Sequence, residues 1–337
     1  MVFTEIGSDR PAARGEAKVV TGSADWRRPT AVFVGLFSVC WLLLYVVHAA
    51  LPLVQSGALA INAAKFDRLA GQPMFAPGDR TRIMVFGNSK VVSGFDPSQF
   101  DAAFGPGVRS YNLGLPGDEH FVPLLEAALA AGNIPTHVLV TLPWDAKAET
   151  APPLAILYDD NRIINTLLPF RAILRDLVLF AYNNRFNFVA GIRYAKSQLD
   201  LMVENRGWYF IRWQSHFLND ELPDGFTIPT DRPDRIEVRQ WPAHSLARDR
   251  LMQLATQYGF QVLLVPSYRR SGEFAPAPSA DADRDTVIST SPRVRLIGPD
   301  YWTYPTHSFA DPVHLNPPAR LVYTADLAAL LQKHRAF

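Results

Sequence analysis

The pattern of apolar and polar positions divides the chain into an N-terminal membrane segment and a longer folded part. From Ala31 to Val47 the chain carries no charged residue, and the apolar stretch continues to Val54. About 20 apolar residues are enough to cross the ~30 Å hydrocarbon core of a bilayer. The stretch is longer than the apolar core of a usual signal peptide. The pattern therefore predicts a transmembrane helix over 30–54, preceded by a polar tail over 1–29 and followed by a helical juxtamembrane stalk over 55–80.

Beyond residue 80, short apolar runs alternate with amphipathic segments. Strands are predicted at Ile83–Phe86, Val108–Leu113, His137–Leu142, Phe260–Pro266 and Val294–Ile297. Helices are predicted at Pro97–Phe104, Phe121–Ala131, Ser245–Tyr258 and Pro318–His334. Continuous apolar strands between helices are typical of a parallel sheet with both faces covered. The pattern predicts an α/β fold over 81–337, a three-layer α/β/α sandwich with a mostly parallel sheet.

The alternation is interrupted over residues 147–242, which we interpret as an insertion. This part is rich in aromatic residues, is irregular in pattern and contains an apolar helical segment near Ile163–Tyr182. Aromatic residues here and near the C-terminus are compatible with core packing and with stacking on sugar rings. The residues in question are Trp208, Tyr209, Trp213, Trp241, Trp302 and Tyr304.

Composition and charge exclude several classes of function. The chain has 48% apolar and 19% charged residues, enough for a full core, and a net charge of +1. That charge gives no general attraction to nucleic acid, so no nucleic-acid partner is expected. Cys40 is the only cysteine and falls inside the predicted span, which excludes an internal disulfide, a catalytic cysteine and a multi-cysteine zinc site. We expect neither a metal nor a cofactor.

The basic residues around the apolar stretch predict its orientation. The first basic residue after the span is Lys65, whereas five precede it: Arg10, Arg14, Lys18, Arg27 and Arg28. The positive-inside rule then places the N-terminus in the cytoplasm and the folded part outside. In a bacterium this is a single-pass inner-membrane protein with a periplasmic domain.

The candidate chemistry begins at Ser89, which follows a predicted strand and Gly87. Far downstream, Asp311 precedes His314 by three residues. A serine hydroxyl needs a neutral imidazole as base, and the imidazole needs a third group to fix its tautomer. Both a Gly-x-Ser turn and a closely spaced Asp/His pair are also common as ordinary surface turns without a catalytic role. Polar loops after the first three strands, at Ser89, Asn112–Gly117 and Pro143–Asp145, are expected to meet at one edge of the sheet.

Three motifs in this order resemble the SGNH (GDSL-like) hydrolase superfamily, in the branch of the polysaccharide O-acetylation proteins. The motifs are Gly87-Asn88-Ser89-Lys90, Asn112–Gly117 and Asp311–Leu315. The resemblance covers 81–334 apart from the insertion. It implies Ser89 as nucleophile, His314 as general base and Asp311 as the residue that orients it. It also implies an oxyanion hole formed by the backbone N–H groups of Ser89 and Gly117, with Gly114 as the alternative donor.

The third motif departs from the family. An asparagine usually donates to the oxyanion there, whereas the alignment of VTLPWDA places Asp145 at that position. An ionised carboxylate repels an oxyanion, and loss of one donor costs about 2.7–4 kcal/mol. Three explanations stay open: Asp145 is protonated, another residue donates, or catalysis has been lost.

The resemblance implies a membrane-anchored, extracytoplasmic serine acyl-transfer enzyme, either an O-acetyltransferase or an acetylesterase. Its substrate would be an exported polysaccharide, and a membrane-bound O-acyltransferase would be the partner that supplies acyl groups. Lys90, Trp144 and His307 are the candidate substrate-binding residues. The alternative is a catalytically silent SGNH-like subunit of a polysaccharide synthesis or export complex.

Overall fold

The computed structural model describes most of the chain in segments. These are residues 26–50, 57–116, 121–141, 167–168, 178, 181, 188–210, 217–228, 245–271, 282–289 and 291–337. The chain divides into two units, 1–47 and 48–337. The predicted site residues Gly117, Trp144 and Asp145 lie outside the described residues, as do residues 1–25 of the tail predicted over 1–29 and most of the apolar segment near 163–182.

The first unit contains the N-terminal apolar helix. Helix α1 covers Arg27–Ala50, and its part over Arg27–Val47 has a mean hydropathy of 2.3. Large apolar side chains are exposed all along it, including Phe33, Leu36 and Leu43. Apolar side chains in such numbers are usually buried in a soluble protein. By length and composition the helix is able to cross a membrane, which agrees with the predicted span and moves its start to Arg27.

The second unit alternates strands and helices. Its strands are β1 Thr81–Phe86, β2 Val108–Asn112, β3 His137–Val140, β4 Gln261–Leu264, β5 Ser267–Arg270, β6 Asp285–Ile288, β7 Ser291–Ile297 and β8 Tyr301–Tyr304. Its α-helices are α2 Gly57–Ala64, α3 Ser89–Gly94, α4 Pro97–Phe104, α5 Val122–Ala130, α6 Phe188–Glu204, α7 Leu246–Tyr258 and α8 Pro317–Lys333. A π-helix covers Lys65–Ala70, and 3₁₀ turns cover Leu218–Asp220 and Thr306–Ser308.

Six strands form the central sheet in the order β2-β1-β3-β4-β7-β6. The first five are parallel, and β6 adds an antiparallel edge. All five predicted strands are therefore present in a mostly parallel sheet. The pattern missed β6 because its side chains are mostly exposed. It also missed β5 and β8, short parallel strands that form a separate two-stranded sheet.

Alternate residues of the central strands enter two different apolar cores. Met84 and Phe86 of β1 pack with residues of α5 and α7. Ile83 and Val85, on the opposite face, pack with residues of α3, α4 and α8. Side chains alternate between the two faces of a strand, so these cores lie on opposite sides of the sheet. Helices thus cover both faces, and the α/β class predicted from the pattern is confirmed.

The segment predicted as a stalk packs against the sheet domain. Ile61 of α2 and Leu69 and Ala70 of the π-helix are buried, with at most 4% of their surface exposed. Lys65 is fully buried as well, and its Nζ donates to the backbone oxygen of Asn112 at 3.0 Å. The helical composition was predictable from the sequence. The packing of this segment against the sheet domain was not predictable, because it depends on polar groups at the end of β2.

Candidate active site

Ser89 lies at the carboxyl edge of the sheet, beyond the end of β1. Strand β1 is flanked by β2 and β3, and ligands of open parallel sheets bind at this edge. Asn88 caps α3, because its Oδ1 accepts from the backbone N–H of Lys90 at 3.0 Å. Ser89 is the first residue of that helix, so its own N–H has no intrahelical acceptor. The predicted polar turn is in fact a turn from strand to helix.

The turn requires glycine at position 87, because the surrounding atoms leave no room for a side chain there. A Cβ atom there would lie 2.3 Å from Cγ2 of Val91 and 2.4 Å from Oγ1 of Thr141. Val91 lies on the first turn of α3, and Thr141 directly follows β3. Helix α3 therefore packs directly over the ends of two neighbouring strands. This close packing fixes where Ser89 stands.

Asn112 ties α3 to the end of β2. Its buried Nδ2 donates to the carbonyl oxygens of Val91 at 2.7 Å and of Phe95 at 2.8 Å. Its Oδ1 accepts from the N–H of Gly114 at 3.2 Å and from Nζ of Lys65 at 3.3 Å. Burial lowers the pKa of Lys65 well below its ordinary value. The network positions α3, and it occupies the Gly114 N–H that was the alternative oxyanion donor.

Asp311 and His314 form a hydrogen-bonded pair, as their spacing predicts. Oδ2 of Asp311 lies 2.7 Å from Nδ1 of His314, while its Oδ1 accepts from the backbone N–H groups of Val313 and His314, both at 2.8 Å. Burial acts to raise the pKa of Asp311. The hydrogen bond and charge of His314, with the two backbone donors, outweigh burial and hold that pKa below its ordinary value. An ionised carboxylate only accepts, so in the neutral imidazole Nδ1 carries the proton and Nε2 keeps a lone pair.

Ser89, Asp311 and His314 line one small cavity. Its volume is about 20 Å³, room for about one water molecule. Nε2 of His314 is buried, and it has no hydrogen-bond partner among the described residues. Contacts between a base and a nucleophile are often long before substrate binds. The arrangement places a proton acceptor, oriented by a carboxylate, beside the same cavity as the Ser89 side chain.

Other predicted site residues lie elsewhere. Nζ of Lys90 donates to the backbone oxygen of Tyr268 at 3.1 Å and lies 5.6 Å from the centre of its ring. The His307 side chain is 60% exposed and lies 3.9 Å from the carboxylate of Asp224. Neither is among the described residues that line the Ser89 cavity. Gly117, Trp144 and Asp145 lie outside the described residues.

One wall of the cavity comes from the predicted insertion. Tyr209 and Phe210 line it together with Ser93. The backbone N–H of Tyr209 donates to the carbonyl of Val92 at 3.1 Å, and Nε1 of Trp208 donates to the carbonyl of Ser93 at 2.9 Å. The sequence marked Trp208 and Tyr209 only as aromatic residues. Nothing in their spacing indicated that they fasten the insertion to α3.

Gly207 allows the insertion to meet the end of β2. The N–H of Asn112 donates to the carbonyl of Arg206 at 2.9 Å. At Gly207 φ is +95°, and a Cβ atom would lie only 1.9 Å from the backbone oxygen of Asn112. A side chain here would therefore suffer both a strained backbone and a clash with main-chain atoms that have little freedom to move.

We expect Gly207→Ala to destabilise the protein and to loosen this wall. Gly225 is the matched control, because its φ is +76° but an added Cβ would meet nothing within 4 Å. Both substitutions carry the left-handed penalty of about 1–2 kcal/mol. Overpacking should lower the unfolding free energy of Gly207→Ala by about 1–3 kcal/mol more, measured by denaturant unfolding of the full-length protein in detergent. Equal losses in the two variants would contradict the close approach.

Comparison with protein-family models, with curated proteins and with solved structures gives no match.

Proposed function

We propose that this protein is a membrane-anchored, extracytoplasmic serine acyl-transfer enzyme of the SGNH type. It would act as an O-acetyltransferase or acetylesterase on an exported polysaccharide. The observation that carries the proposal is the 2.7 Å contact of Asp311 with His314, on the rim of the same cavity as Ser89. This is the set of groups that a serine nucleophile needs, at the edge of the sheet where ligands bind.

In the first half-reaction, Oγ of Ser89 attacks the carbonyl carbon of an acetyl ester. The hydroxyl proton passes to Nε2 of His314, and the ionised Asp311 stabilises the imidazolium that results. The bond to the leaving alcohol then breaks, and the alcohol takes the proton from Nε2. The backbone N–H of Ser89, free of an intrahelical acceptor, would donate to the developing oxyanion.

In the second half-reaction, a sugar hydroxyl or water attacks the acetyl group on Ser89. Its proton passes to Nε2 of His314, the bond between Oγ and the acetyl group breaks, and Oγ recovers the proton. The transferase and the esterase share this intermediate and differ only in the acceptor.

The fold and the N-terminal helix support the finer parts of the proposal. The five parallel strands, with helices on both faces, fit a three-layer SGNH-like sandwich with Ser89 after the first strand. The basic residues before the uncharged apolar stretch favour a cytoplasmic N-terminus and hence an external, in a bacterium periplasmic, domain. A domain anchored in the membrane by its own chain suits a membrane-bound O-acyltransferase as the donor of acyl groups.

A catalytically silent subunit of a polysaccharide synthesis or export complex is the second candidate. Two observations favour it: Asp145 stands where the family places a donor, and Nε2 of His314 makes no hydrogen bond to Ser89 among the described residues. Such a subunit would keep the fold but show no chemistry at Ser89. The tests below separate the two candidates.

Rapid mixing of the detergent-solubilised full-length protein with 4-nitrophenyl acetate tests the proposal. We expect a burst of 4-nitrophenolate in proportion to the protein, followed by a slow phase, because an acyl-enzyme accumulates when its hydrolysis is slow. A neutral oligosaccharide should speed the slow phase and become acetylated. A slow phase unchanged by the sugar, with no acetylated product, would assign the esterase branch. Release no faster than in detergent buffer would contradict the enzyme proposal.

A further inference from the structure

A second, larger cavity adjoins the Ser89 cavity. Its volume is about 370 Å³, within the range of small-molecule sites. Tyr209 and Phe210 line both cavities, so the two share a wall. Helix α6 contributes Gln198 and Leu201 to the larger cavity, and Asn205 and Trp208 follow at its C-terminal end. This cavity has no part in the acyl-transfer steps described above.

The larger cavity is lined by a mixture of aromatic, aliphatic and polar side chains. The lining combines aromatic rings with uncharged amide groups, and the described residues that form it include no lysine or arginine. Asp220 is the one carboxylate among them. Asn205 contributes a side-chain amide, which both donates and accepts, as sugar hydroxyls require. Aromatic faces beside such groups suit the apolar C–H faces of a sugar ring.

The wall shared by the two cavities, formed by Tyr209 and Phe210, is held in place by hydrogen bonds of the neighbouring chain. The chain around Trp208 is fastened to α3 and β2 by the hydrogen bonds of Asn112, Tyr209 and the Trp208 indole. One face of the Trp208 ring is covered by the guanidinium of Arg320, 3.6 Å from the ring centre. That guanidinium pairs with Asp96 at 3.2 Å, so its charge is compensated. A wall fixed before binding loses little entropy when a ligand arrives.

We propose that this larger cavity binds an uncharged saccharide segment of the acceptor polymer and brings one of its hydroxyls to the Ser89 cavity. The inference rests on the proposed function for the role of the bound sugar, but binding itself does not require catalysis. An anionic saccharide is disfavoured, because the described lining residues include no lysine or arginine that could pair with its carboxylates.

The test measures binding to the full-length Ser89→Ala variant in detergent, which removes turnover. The probes are neutral tetrasaccharides, namely cello-, malto-, manno- and chitotetraose, and tetragalacturonate is the anionic comparison. The dissociation constant of each probe is measured by isothermal titration calorimetry. We expect at least one neutral probe to bind about tenfold or more tightly than tetragalacturonate, a difference of about 1.4 kcal/mol. Binding of none of the neutral probes, or equal binding of the anion, would overturn the proposal.

Two substitutions locate the binding site. Leu201→Trp, made in the Ser89→Ala background, places a large ring in the cavity, and Asn205→Ala removes the amide. Each is expected to weaken neutral-probe binding by at least about tenfold. Leu246→Trp on α7 is the matched control, because Leu246 is 91% exposed and does not line either cavity. Thermal unfolding of each variant shows whether it is folded. Unchanged binding in both folded cavity variants would overturn the assignment.

The result of the saccharide-binding experiment does not depend on whether Ser89 is catalytically active. If the neutral probe binds in this cavity but the wild type gives no burst with 4-nitrophenyl acetate, the proposed enzyme function fails while the saccharide site stands. If the burst appears and no neutral probe binds, the cavity assignment alone fails. Loss of 4-nitrophenyl octanoate hydrolysis when Leu201→Trp is made in the catalytically intact protein, without loss of saccharide binding in the Ser89→Ala background, would assign the cavity to an acyl chain instead.

Discussion

Replacing Ser89 by alanine is expected to lower the turnover of 4-nitrophenyl acetate by at least about 10³-fold. In the proposed mechanism Oγ of Ser89 forms the acyl-enzyme, so the alanine removes the reacting atom. Enzymes that lose one member of such a triad keep only the residual catalysis of binding and of the oxyanion hole. A loss of this size is about 4 kcal/mol of transition-state stabilisation. The burst of 4-nitrophenolate should disappear as well, because no acyl-enzyme forms.

Ser271→Ala is the matched control, since Ser271 is an exposed turn residue that does not line the described cavities. Its turnover and burst should equal those of the wild type. The cap of α3 is made by the Asn88 side chain and does not use the Ser89 hydroxyl, so the substitution leaves that cap in place. A folded Ser89→Ala variant that keeps the wild-type burst would exclude Ser89 as the nucleophile.

Asp311→Asn should lower kcat at neutral pH by about 10⁴-fold, the loss known for the equivalent change in a serine protease triad. The ionised carboxylate of Asp311 accepts from Nδ1 of His314 and leaves Nε2 free to take a proton. An amide that donates to Nδ1 would place the imidazole proton on Nε2, the wrong tautomer for a base. The measurement is steady-state turnover of 4-nitrophenyl acetate.

Asp224→Asn is the matched control for this substitution. Asp224 also approaches a histidine, His307, but its side chain is 95% exposed, and neither residue lines the Ser89 cavity. Its kcat should stay at the wild-type value. If Asp224→Asn and Asp311→Asn lower kcat by the same factor, or if neither lowers it, Asp311 does not orient a catalytic histidine.

The pH dependence of stability gives a second readout for Asp311→Asn. The pKa of Asp311 is held below its ordinary value in the folded protein. The unfolded state then binds more protons in the acid range, so the contribution of Asp311 is fully present above its unfolded pKa of about 3.9. That contribution is lost as the pH falls through the folded pKa. The wild type should therefore lose its stability advantage over Asp311→Asn below about pH 4.

The sequence predicted the parts of the fold that carry strong local patterns. The runs at Ile83–Phe86 and Phe260–Pro266 are apolar on both faces because helices cover both sides of the sheet, and they became β1 and β4. Helix α4 began where Asp96 and Pro97 indicated, with Asp96 capping it. Helix α3 was missed, because six residues with two valines and a terminal glycine give no helical periodicity.

Structural features that depend on contacts between residues far apart in the chain could not be predicted from the sequence pattern. Lys65 is fully buried because the backbone oxygen and the side chain of Asn112 accept its hydrogen bonds, and a lysine in a helical segment is ordinarily read as exposed. The wall of the second cavity depends on contacts between Tyr209 and Val92 across more than a hundred residues of chain. By contrast, the pairing of Asp311 and His314 was predictable, since three residues of spacing bring them together within one turn.

Covalent labelling with methanesulfonyl fluoride tests the central claim most directly. This reagent is small enough for a confined site, and an activated serine oxygen displaces its fluoride to form a stable sulfonyl ester. Peptide mass spectrometry of the labelled full-length protein should locate the adduct on Ser89, and labelling should fall sharply in Asp311→Asn but not in Asp224→Asn. An unmodified Ser89, or labelling of Ser89 that is the same in both variants, would contradict a serine nucleophile activated by Asp311 and His314.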